Sequence, residues 1–492
     1  MQQADIEKLR STTVPAQSHW INGKVHAGQS NLDVYSPIDG QVFTSIAQAT
    51  KQDVDLAVAA ARTSFASGVW AKAAPAERKK KLLKLADLIE AHALELAVLG
   101  VRDNGTEISM AYKAEPLSAA ATFRYYAELI DKSYGEIAPT APDVLGLVHK
   151  EAIGVVAAIV PWNFPLMIGA WKVAPALAAG NSVVLKPAET ASLTLLHLAQ
   201  LAHEAGLPPG VFNVVTGTGA VAGEALALSM DVDVLAFTGS GTVGRRLLQY
   251  AAQSNLKRVY LELGGKSPNI VFADAPDLDK AAKVSAYGIF RNSGQVCVAG
   301  SRLLVEAAIA EEFTARLASI SSNIKVGDPL NLTTEAGAIN SASQLEKSLG
   351  FVARAAAQGG TVITGGHRIF EHTGGWYMAP TVLANVTSEM EIFQQEVFGP
   401  VLSITSFSGE DEALRLANST DFGLAAGVWT GSLSRAHRMI GAINSGVVHV
   451  NTYGGSDLTV PLGGHRQSGN GHDKSAHALD KFYNLKTAWI QL

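Results

Sequence analysis

The stretch AIGVVAAIVPWNFPLMIGAWKVAPALAAGNSVVLKPAE, residues 152–189, carries the clearest structural pattern in the chain. A short apolar run, Ile153–Val160, is followed by the loop Pro161–Pro165 and by a segment with helical spacing, Met167–Leu177. A second apolar run, Ser182–Leu185, comes next. Short buried strands that alternate with helices are typical of parallel βαβ units. The stretch therefore predicts two parallel strands joined by a helix.

The same alternation continues toward the C-terminus. Beyond a helix at Ser192–Ala205, the predicted strands are Val211–Val215, Val232–Phe237 and Arg258–Leu263. After Gly264-Gly265 the pattern resumes, with a strand at Asn269–Phe272 and a helix at Leu278–Ile289. We predict an α/β protein with two parallel-sheet, Rossmann-like domains and a boundary near these two glycines.

Two flanking regions have patterns of their own. Apolar residues at helical spacing predict a helix packed on a core over Pro75–Val101. The last stretch, Phe482–Leu492, is predicted to be extended. With the apolar residues Val144–Val148 it is expected to form a small β element that contacts another subunit.

Composition excludes several classes of protein. At 492 residues the chain is too long for one hydrophobic core, and its net charge of −5 with no basic block argues against nucleic acid as a partner. A single cysteine excludes an intrachain disulfide, and the histidines show no HExxH spacing, so no metal site is expected. No apolar run is long enough to span a membrane, and the N-terminus does not resemble a signal peptide. We expect a cytoplasmic protein.

A glycine motif follows one predicted strand. Gly239, Gly241 and Gly244 match GxGxxG at the start of a helix, where backbone N–H groups attract a pyrophosphate. The motif alone is a weak signal, because this is the fourth strand of the series. The acid expected to bind the ribose would be Glu262, which at the end of a strand could equally do chemistry.

The only cysteine, Cys297, admits two interpretations. A lone cysteine is most often a small buried hydrophobe. Here Gly294 and Gly300 flank it, which favours an approachable backbone after a helix has ended. A reactive thiol would need its surroundings to favour the thiolate.

Four motifs, read together, resemble the aldehyde dehydrogenase superfamily. They are PWNFP (161–165), LELGGKSP (261–268), GQVCVAGSR (294–302) and EVFGP (396–400). The resemblance extends from about Trp20 to the C-terminus. In the C-terminal element VPLGGHRQSGNG (460–471), Leu462, His465 and Arg466 replace the commoner Phe, Tyr and Lys of the family. These departures bear on the substrate.

The resemblance implies a division of labour along the chain. Residues 1–131 and 152–263 would bind NAD(P), and residues 264–465 would form the catalytic domain. Residues 132–151 and 473–492 would form the oligomerisation element of a homo-oligomer. Both a homodimer and a homotetramer are compatible with the resemblance.

It also implies the chemistry. Cys297 would attack the aldehyde, and the resulting thioester would be hydrolysed by water activated by Glu262. The Asn163 side chain and the Cys297 backbone N–H would form the oxyanion hole. Lys172, with Asp473, would lie on a proton path.

The cofactor implied is NAD, because a carboxylate at Glu189 would repel the 2′-phosphate of NADP. NADP is also possible. The residues expected around it are Ile159, Trp162, Lys186, Glu189, Gly219, Gly239, Ser240, Gly244, Glu396 and Phe398.

The substrate implied is a small-molecule aldehyde. The residues expected to line its tunnel are Phe164, Met167, Trp171, Glu115, Tyr453 and Asp457, although the first three fit core packing equally well. Aromatic rings with acids suit an ammonium-bearing aldehyde such as γ-aminobutyraldehyde. An aromatic aldehyde such as indole-3-acetaldehyde would fit the same lining.

Other activities are weaker alternatives. A CoA-acylating enzyme would not need Glu262, and a structural relative without activity would not need Cys297 and Asn163. The SxxK match Ser254–Lys257 would suit a serine acyl hydrolase, but no partner motif accompanies it.

Overall fold

The computed structural model describes residues 1–492. The α-helices are α1 Gln3–Arg10, α2 Lys51–Ser67, α3 Pro75–Ala91, α4 Ala93–Asn104, α5 Ile108–Tyr112, α6 Ser118–Leu129, α7 Pro165–Ala178, α8 Leu193–Glu204, α9 Glu224–Leu228, α10 Gly241–Gln253, α11 Leu278–Phe290, α12 Ala310–Ser322, α13 Ala342–Ala357, α14 Glu391–Gln394, α15 Gly409–Ala417 and α16 Leu433–Ala442. The strands are β1 His19–Ile21, β2 Lys24–His26, β3 Ser30–Tyr35, β4 Val42–Gln48, β5 Glu136–Ala138, β6 Val144–Ala152, β7 Val155–Ile159, β8 Ser182–Lys186, β9 Phe212–Val214, β10 Val234–Thr238, β11 Arg258–Glu262, β12 Pro268–Val271, β13 Arg302–Glu306, β14 Thr361–Thr364, β15 Arg368–Ile369, β16 Tyr377–Met378, β17 Thr381–Ala384, β18 Val401–Phe407, β19 Phe422–Gly423, β20 Ala425–Trp429, β21 Val447–Val450, β22 Leu462–Gly463, β23 His465–Arg466, β24 His472–Asp473 and β25 Tyr483–Gln491.

The first large sheet is built around the predicted strand–helix–strand unit. Its strand order is β11-β10-β7-β8-β9-β1-β2, and the five strands from β11 to β9 are parallel. Every residue of β7 and of β8 is buried, because helices cover both faces of the sheet. The edge strands β1 and β2 are antiparallel, which the apolar pattern did not predict.

The second large sheet follows directly along the chain. Its order is β14-β17-β18-β13-β12-β20-β21, with β14 antiparallel and the other neighbours parallel. The chain passes from one sheet to the other between Glu262 and Pro268. The predicted α/β architecture with two sheets is therefore confirmed.

A third sheet joins two distant segments. The C-terminal strand β25 pairs with β6 over nine residues, from Tyr483 opposite Ala152 to Gln491 opposite Val144. Strand β5 pairs with the other edge of β6. The predicted extended tail is confirmed, and the apolar side chains of Leu485 and Trp489 on it are 70% and 67% exposed.

The predicted helix at Pro75–Val101 is two helices. Helices α3 and α4 are separated at His92, where the backbone leaves the helical region (φ −97°, ψ 15°). Leu82, Leu85 and Ile89 bury one face of α3 in the core. The apolar spacing continues across the break, so spacing alone could not reveal it. None of the helices has the length and apolar character that a crossing of the bilayer requires.

Candidate active site

The loop after α11 positions Cys297 between the two large sheets. Asn292, Ser293 and Gly294 all adopt left-handed backbone conformations (φ 48°, 50° and 74°). A Cβ on Gly294 would lie 2.0 Å from the Gly399 carbonyl oxygen, so only glycine fits this turn. The loop leaves Cys297 partly buried, with a cavity of about 170 Å³ on one side and a cavity of about 310 Å³ on the other.

The smaller cavity lies at the ends of strands from the first sheet. Its lining includes the predicted residues Trp162, Asn163, Gly239, Ser240, Glu396 and Phe398. Phe398 has a left-handed backbone (φ 60°), and its ring meets Trp162 edge to face with centroids 5.3 Å apart. The fold thus brings together segments separated by more than 200 residues.

Glu396 is held against the backbone that links the two sheets. Its Oε1 accepts a hydrogen bond from the Gly265 N–H at 3.0 Å. A Cβ on Gly264 would lie 2.2 Å from Oε2, so glycine at this position allows the close approach. Burial raises the pKa of the Glu396 carboxyl, and the Gly265 hydrogen bond and two lysines oppose that rise.

The other predicted cofactor residues border the same edge of the first sheet. The Lys186 ammonium donates to the Pro187 carbonyl at 2.9 Å and lies 3.5 Å from the half-exposed Glu189 carboxylate. Burial lowers the pKa of Lys186. Ser240 caps helix α10, where its hydroxyl accepts from the Val243 N–H at 3.4 Å.

Two glycines and Ile159 complete this edge. A Cβ on Gly219 would meet no atom within 4 Å, so the surface there is open. A Cβ on Gly244 would lie 3.0 Å from the Leu263 side chain, so this glycine brings α10 close to β11. Ile159 ends β7 and is buried. These residues fit a dinucleotide, because carboxylates can accept hydrogen bonds from ribose hydroxyls and the exposed N-terminus of a helix can bind phosphate.

A buried charged network lies behind Glu262. The Lys172 ammonium donates to Asp473 at 2.9 Å, and the Lys481 ammonium donates to the other oxygen of Asp473 at 2.7 Å. All three side chains are buried. Burial, with a contribution from Asp473, raises the pKa of Glu262 well above its usual value, while Lys172 and Lys481 oppose the rise. The contact between Lys172 and Asp473 agrees with expectation, and Lys481 was missed.

The surroundings of Cys297 strongly disfavour ionisation of its thiol. Burial first, and then the carboxylates of Glu396 and Glu262, raise its pKa to about 12. The backbone N–H groups of Val298 and Cys297 oppose this rise. A neighbouring base or a bound cation would therefore be needed to form the thiolate at neutral pH.

Asn163 shares the smaller cavity with Cys297. Its side-chain amide donates to the Gln295 carbonyl at 2.9 Å, and its Oδ1 has no partner. Because an amide carries two N–H groups, one remains for another acceptor. The Asn292 amide fixes the local backbone by donating to the Asn163 carbonyl at 3.3 Å.

The larger cavity combines apolar and charged walls. Phe164, Met167, Trp171 and Asp457, four of the residues expected in the substrate tunnel, line this cavity. The first three also pack against the main hydrophobic core, so the two interpretations of them are compatible. Asp457 is exposed and bonded to Thr459, and these hydrogen bonds lower the pKa of its carboxyl.

Two predicted tunnel residues lie elsewhere. Glu115 is buried beside the start of α7, where its carboxylate accepts from the Met167 N–H at 2.8 Å. Burial raises its pKa to about 8. It is drawn there because the first N–H groups of a helix have no intrahelical acceptor. Tyr453 lies behind the cysteine loop, and its hydroxyl donates to the Val298 carbonyl at 2.9 Å because three nearby glycines leave room for its ring.

The larger cavity also contains two cations that sequence reasoning missed. Arg291 and Lys474 line it together with Cys297. The position of Arg291 only six residues before the cysteine was the available signal. The cavity is therefore less acidic than predicted, since it has two cations and one exposed carboxylate.

Two other clusters lie outside both cavities. Lys257 donates to Ser254 at 2.8 Å and to the Ala227 carbonyl at 2.6 Å, so it satisfies a carbonyl of α9. His92, Glu95 and His197 place ligand atoms within 4.8 Å of one another on the surface.

Comparison with known proteins gives the chain its relatives. The profile of the aldehyde dehydrogenase family matches residues 24–488. The NADP/NAD-dependent aldehyde dehydrogenase PuuC of Escherichia coli (strain K12) is 48% identical over 96% of this chain and 95% of its own length. Two solved structures superpose over the full length of both chains. The P. syringae indole-3-acetaldehyde dehydrogenase AldA, in complex with NAD+ and IAA, is 46% identical with a TM-score of 0.98. The γ-glutamyl-γ-aminobutyraldehyde dehydrogenase of Burkholderia cenocepacia J2315 is 47% identical with a TM-score of 0.97. The chain belongs to the aldehyde dehydrogenase family.

Proposed function

We propose that this enzyme oxidises an aldehyde to its carboxylate with NAD(P), through a covalent intermediate on Cys297. The observation that carries the proposal is the position of the only cysteine, whose side chain borders both cavities. One cavity has the residues that fit a dinucleotide, and the other has an apolar wall that suits an aldehyde. A nucleophile between the two can hold the substrate while its hydride leaves.

The first stage forms the covalent bond. The Cys297 sulfur adds to the carbonyl carbon, and the thiol proton leaves to a base, so a thiohemiacetal oxyanion results. The Asn163 amide and the Cys297 N–H would donate hydrogen bonds to that oxygen. When bound, NAD(P) accepts a hydride from the aldehyde carbon. Lys186, Glu189 and Ser240 would hold its adenosine side, with Glu396 and Phe398 at its nicotinamide side.

The second stage releases the acid. Glu262 would accept a proton from water, and that water would attack the thioester and expel the Cys297 thiolate. Burial raises the pKa of Glu262 and so makes its carboxylate a stronger base than an exposed one, which suits it to take a proton from water. Lys172 and Asp473 would carry the proton onward. The presence of Glu262 favours hydrolysis over transfer to CoA.

For the dinucleotide we favour NAD, although NADP is compatible with the relatives. The Glu189 carboxylate stands beside Lys186 at the edge where the adenosine ribose would lie. A carboxylate accepts hydrogen bonds from ribose hydroxyls and repels a 2′-phosphate. PuuC, whose name includes both dinucleotides, supports keeping NADP as a second cofactor.

For the aldehyde we favour an amine-derived compound, γ-aminobutyraldehyde or its γ-glutamyl derivative. The similarity to the Burkholderia enzyme supports this choice. Indole-3-acetaldehyde is the second candidate, because Phe164 and Trp171 line the larger cavity and the Pseudomonas relative acts on that aldehyde.

The test is NADH formation by the wild type and by Cys297→Ala. Each would be offered γ-aminobutyraldehyde, γ-glutamyl-γ-aminobutyraldehyde and indole-3-acetaldehyde, and circular dichroism would verify that the variant is folded. We expect turnover of an amine-derived aldehyde by the wild type and none by the variant. Preference for the indole aldehyde would retain the mechanism and reverse the substrate choice. NADH formation by a folded Cys297→Ala would refute the proposal.

A further inference from the structure

Arg291 places an unpaired cation in the wall of the larger cavity. It follows the last residue of α11, and its side chain lines the cavity that also contains Cys297. It forms no salt bridge within 4.0 Å, and its buried Nε has no hydrogen-bond partner. Of the 22 ion pairs in the structure, none includes Arg291, which sets it apart from the arginines paired on the surface.

The acidic side chains near Arg291 form hydrogen bonds with other groups and no ion pair with its guanidinium. Glu107 is a buried carboxyl near Arg291, but its Oε1 accepts from the Asn292 N–H at 3.1 Å. Burial raises the pKa of Glu107 to about 7, which reduces its charge. Asp457, on the same cavity wall, is bonded to Thr459. Neither carboxylate neutralises the guanidinium directly.

The cavity is shaped to keep the guanidinium in place. A Cβ on Gly454 would lie 3.0 Å from Arg291 Nη2, so the absence of a side chain there makes room for the guanidinium. Lys474 adds a second positive charge on the cavity wall, 5.7 Å from the Trp171 ring. Asp457 is the one carboxylate in the lining, so the two cations Arg291 and Lys474 outnumber it.

A partly buried guanidinium whose buried Nε has no partner is costly, and a carboxylate is the group that it binds best, through two parallel hydrogen bonds. We propose that Arg291 determines specificity by binding a carboxylate on the tail of the aldehyde. This inference rests on the proposed covalent oxidation at Cys297. Among amine-derived aldehydes it favours the γ-glutamyl derivative, which carries a carboxylate, over free γ-aminobutyraldehyde, which does not. It also admits short aldehydes that end in a carboxylate.

The experiment compares short aldehydes whose tails are negative, neutral or positive. The wild type, Arg291→Met and Arg291→Lys would be assayed with 5-oxopentanoate, with its methyl ester and with γ-aminobutyraldehyde. We expect the wild type to have a higher kcat/KM for the carboxylate than for either of the other two. Arg291→Met should reduce the carboxylate-to-ester ratio by roughly tenfold to a hundredfold, mainly through KM, because a charge-assisted hydrogen bond is lost. Arg291→Lys should retain part of the preference.

A binding readout and a matched variant complete the design. Glutarate should slow the alkylation of Cys297 by iodoacetamide in the wild type and do so far less in Arg291→Met. Lys474→Met removes the other cation of the cavity, whose ammonium already donates to Ser456, and should change the ratio less than Arg291→Met.

The outcomes separate this inference from the proposed function. If the wild type oxidises the ester or γ-aminobutyraldehyde better than the carboxylate, the inference is wrong and the reaction stands. If Arg291→Met slows all three substrates equally, Arg291 acts on Cys297 and not on the substrate tail, which also overturns the inference. If no aldehyde yields NADH with the wild type, the proposed function itself fails.

Discussion

The immediate surroundings of Cys297 determine the protonation state of its thiol. Burial and two carboxylates raise its pKa to about 12, so the resting thiol should react only slowly with oxidants and alkylating agents. Glu396 and Glu262 lie near enough for their charges to act on the pKa of the thiol. The thiol is therefore expected to stay protonated at neutral pH unless a base or a bound cation acts on it.

Asn163 provides the sharpest test of a single side chain. We expect Asn163→Ala to slow turnover by a few hundred-fold, because losing one oxyanion donor costs roughly 2.7–4 kcal/mol of barrier. The variant should remain folded, since it loses one internal hydrogen bond, to Gln295. Steady-state NADH formation and thermal unfolding would be compared with the wild type. Near-normal turnover would exclude Asn163 from the oxyanion hole.

Among the elements, the five parallel strands of the first sheet, strand β12 and helices α7, α8 and α11 lie within a few residues of their predicted bounds. Their apolar runs are continuous because both faces of each sheet are covered. The antiparallel strand β1, which lies between β9 and β2, differs, since it is three residues long and its pairing with β9 rests on one residue pair, Trp20 with Val214. Its first residue, His19, is fully buried and accepts from the Thr216 N–H at 3.2 Å through Nδ1.

This histidine makes β1 sensitive to acid. Burial lowers the pKa of His19 from 6.5 to about 4, so the unfolded chain takes up its proton at a higher pH than the folded chain does. The penalty is absent above pH 6.5 and grows as pH falls, reaching roughly 3 kcal/mol near pH 4. His19→Gln, which keeps an acceptor, should therefore lose less stability between pH 7 and pH 4.5 than the wild type.

The measurement is the urea midpoint of unfolding at both pH values. His372→Gln, at an exposed position, is the matched control and should behave as the wild type does. An acid-induced loss of the same size in the His19 variant would contradict the assignment of this penalty to His19.

The molecule as a whole leaves the third sheet uncovered. Leu485 and Trp489 are four residues apart on β25 and so point to the same face, where they are 70% and 67% exposed. Apolar side chains exposed together on a sheet mark an interaction surface. We expect this sheet to join two subunits of a homo-oligomer, as its sequence also suggested.

Replacing both residues should break that contact. Leu485→Glu with Trp489→Glu is expected to shift the protein to smaller species in size-exclusion chromatography with light scattering. Leu433→Glu, a change at a residue on α16 that is 74% exposed, should leave the mass unchanged. A double variant with the mass of the wild type would show that the subunits meet elsewhere.

Local sequence was sufficient for the parallel strands of the first sheet, the start of the second sheet and the family, because strand burial, helix spacing and the motifs around Asn163 and Glu262 all lie within short segments. It could not place side chains whose partners are distant in the chain. Glu115 bonds to the start of α7, and Tyr453 bonds to the Val298 carbonyl 155 residues away. Arg291 and Lys474 line the same cavity although they are far apart in the sequence. The motifs therefore determined the reaction that we propose, whereas the charge of the substrate cavity was decided only by tertiary packing, because a side chain's direction and neighbours depend on the elements packed around it.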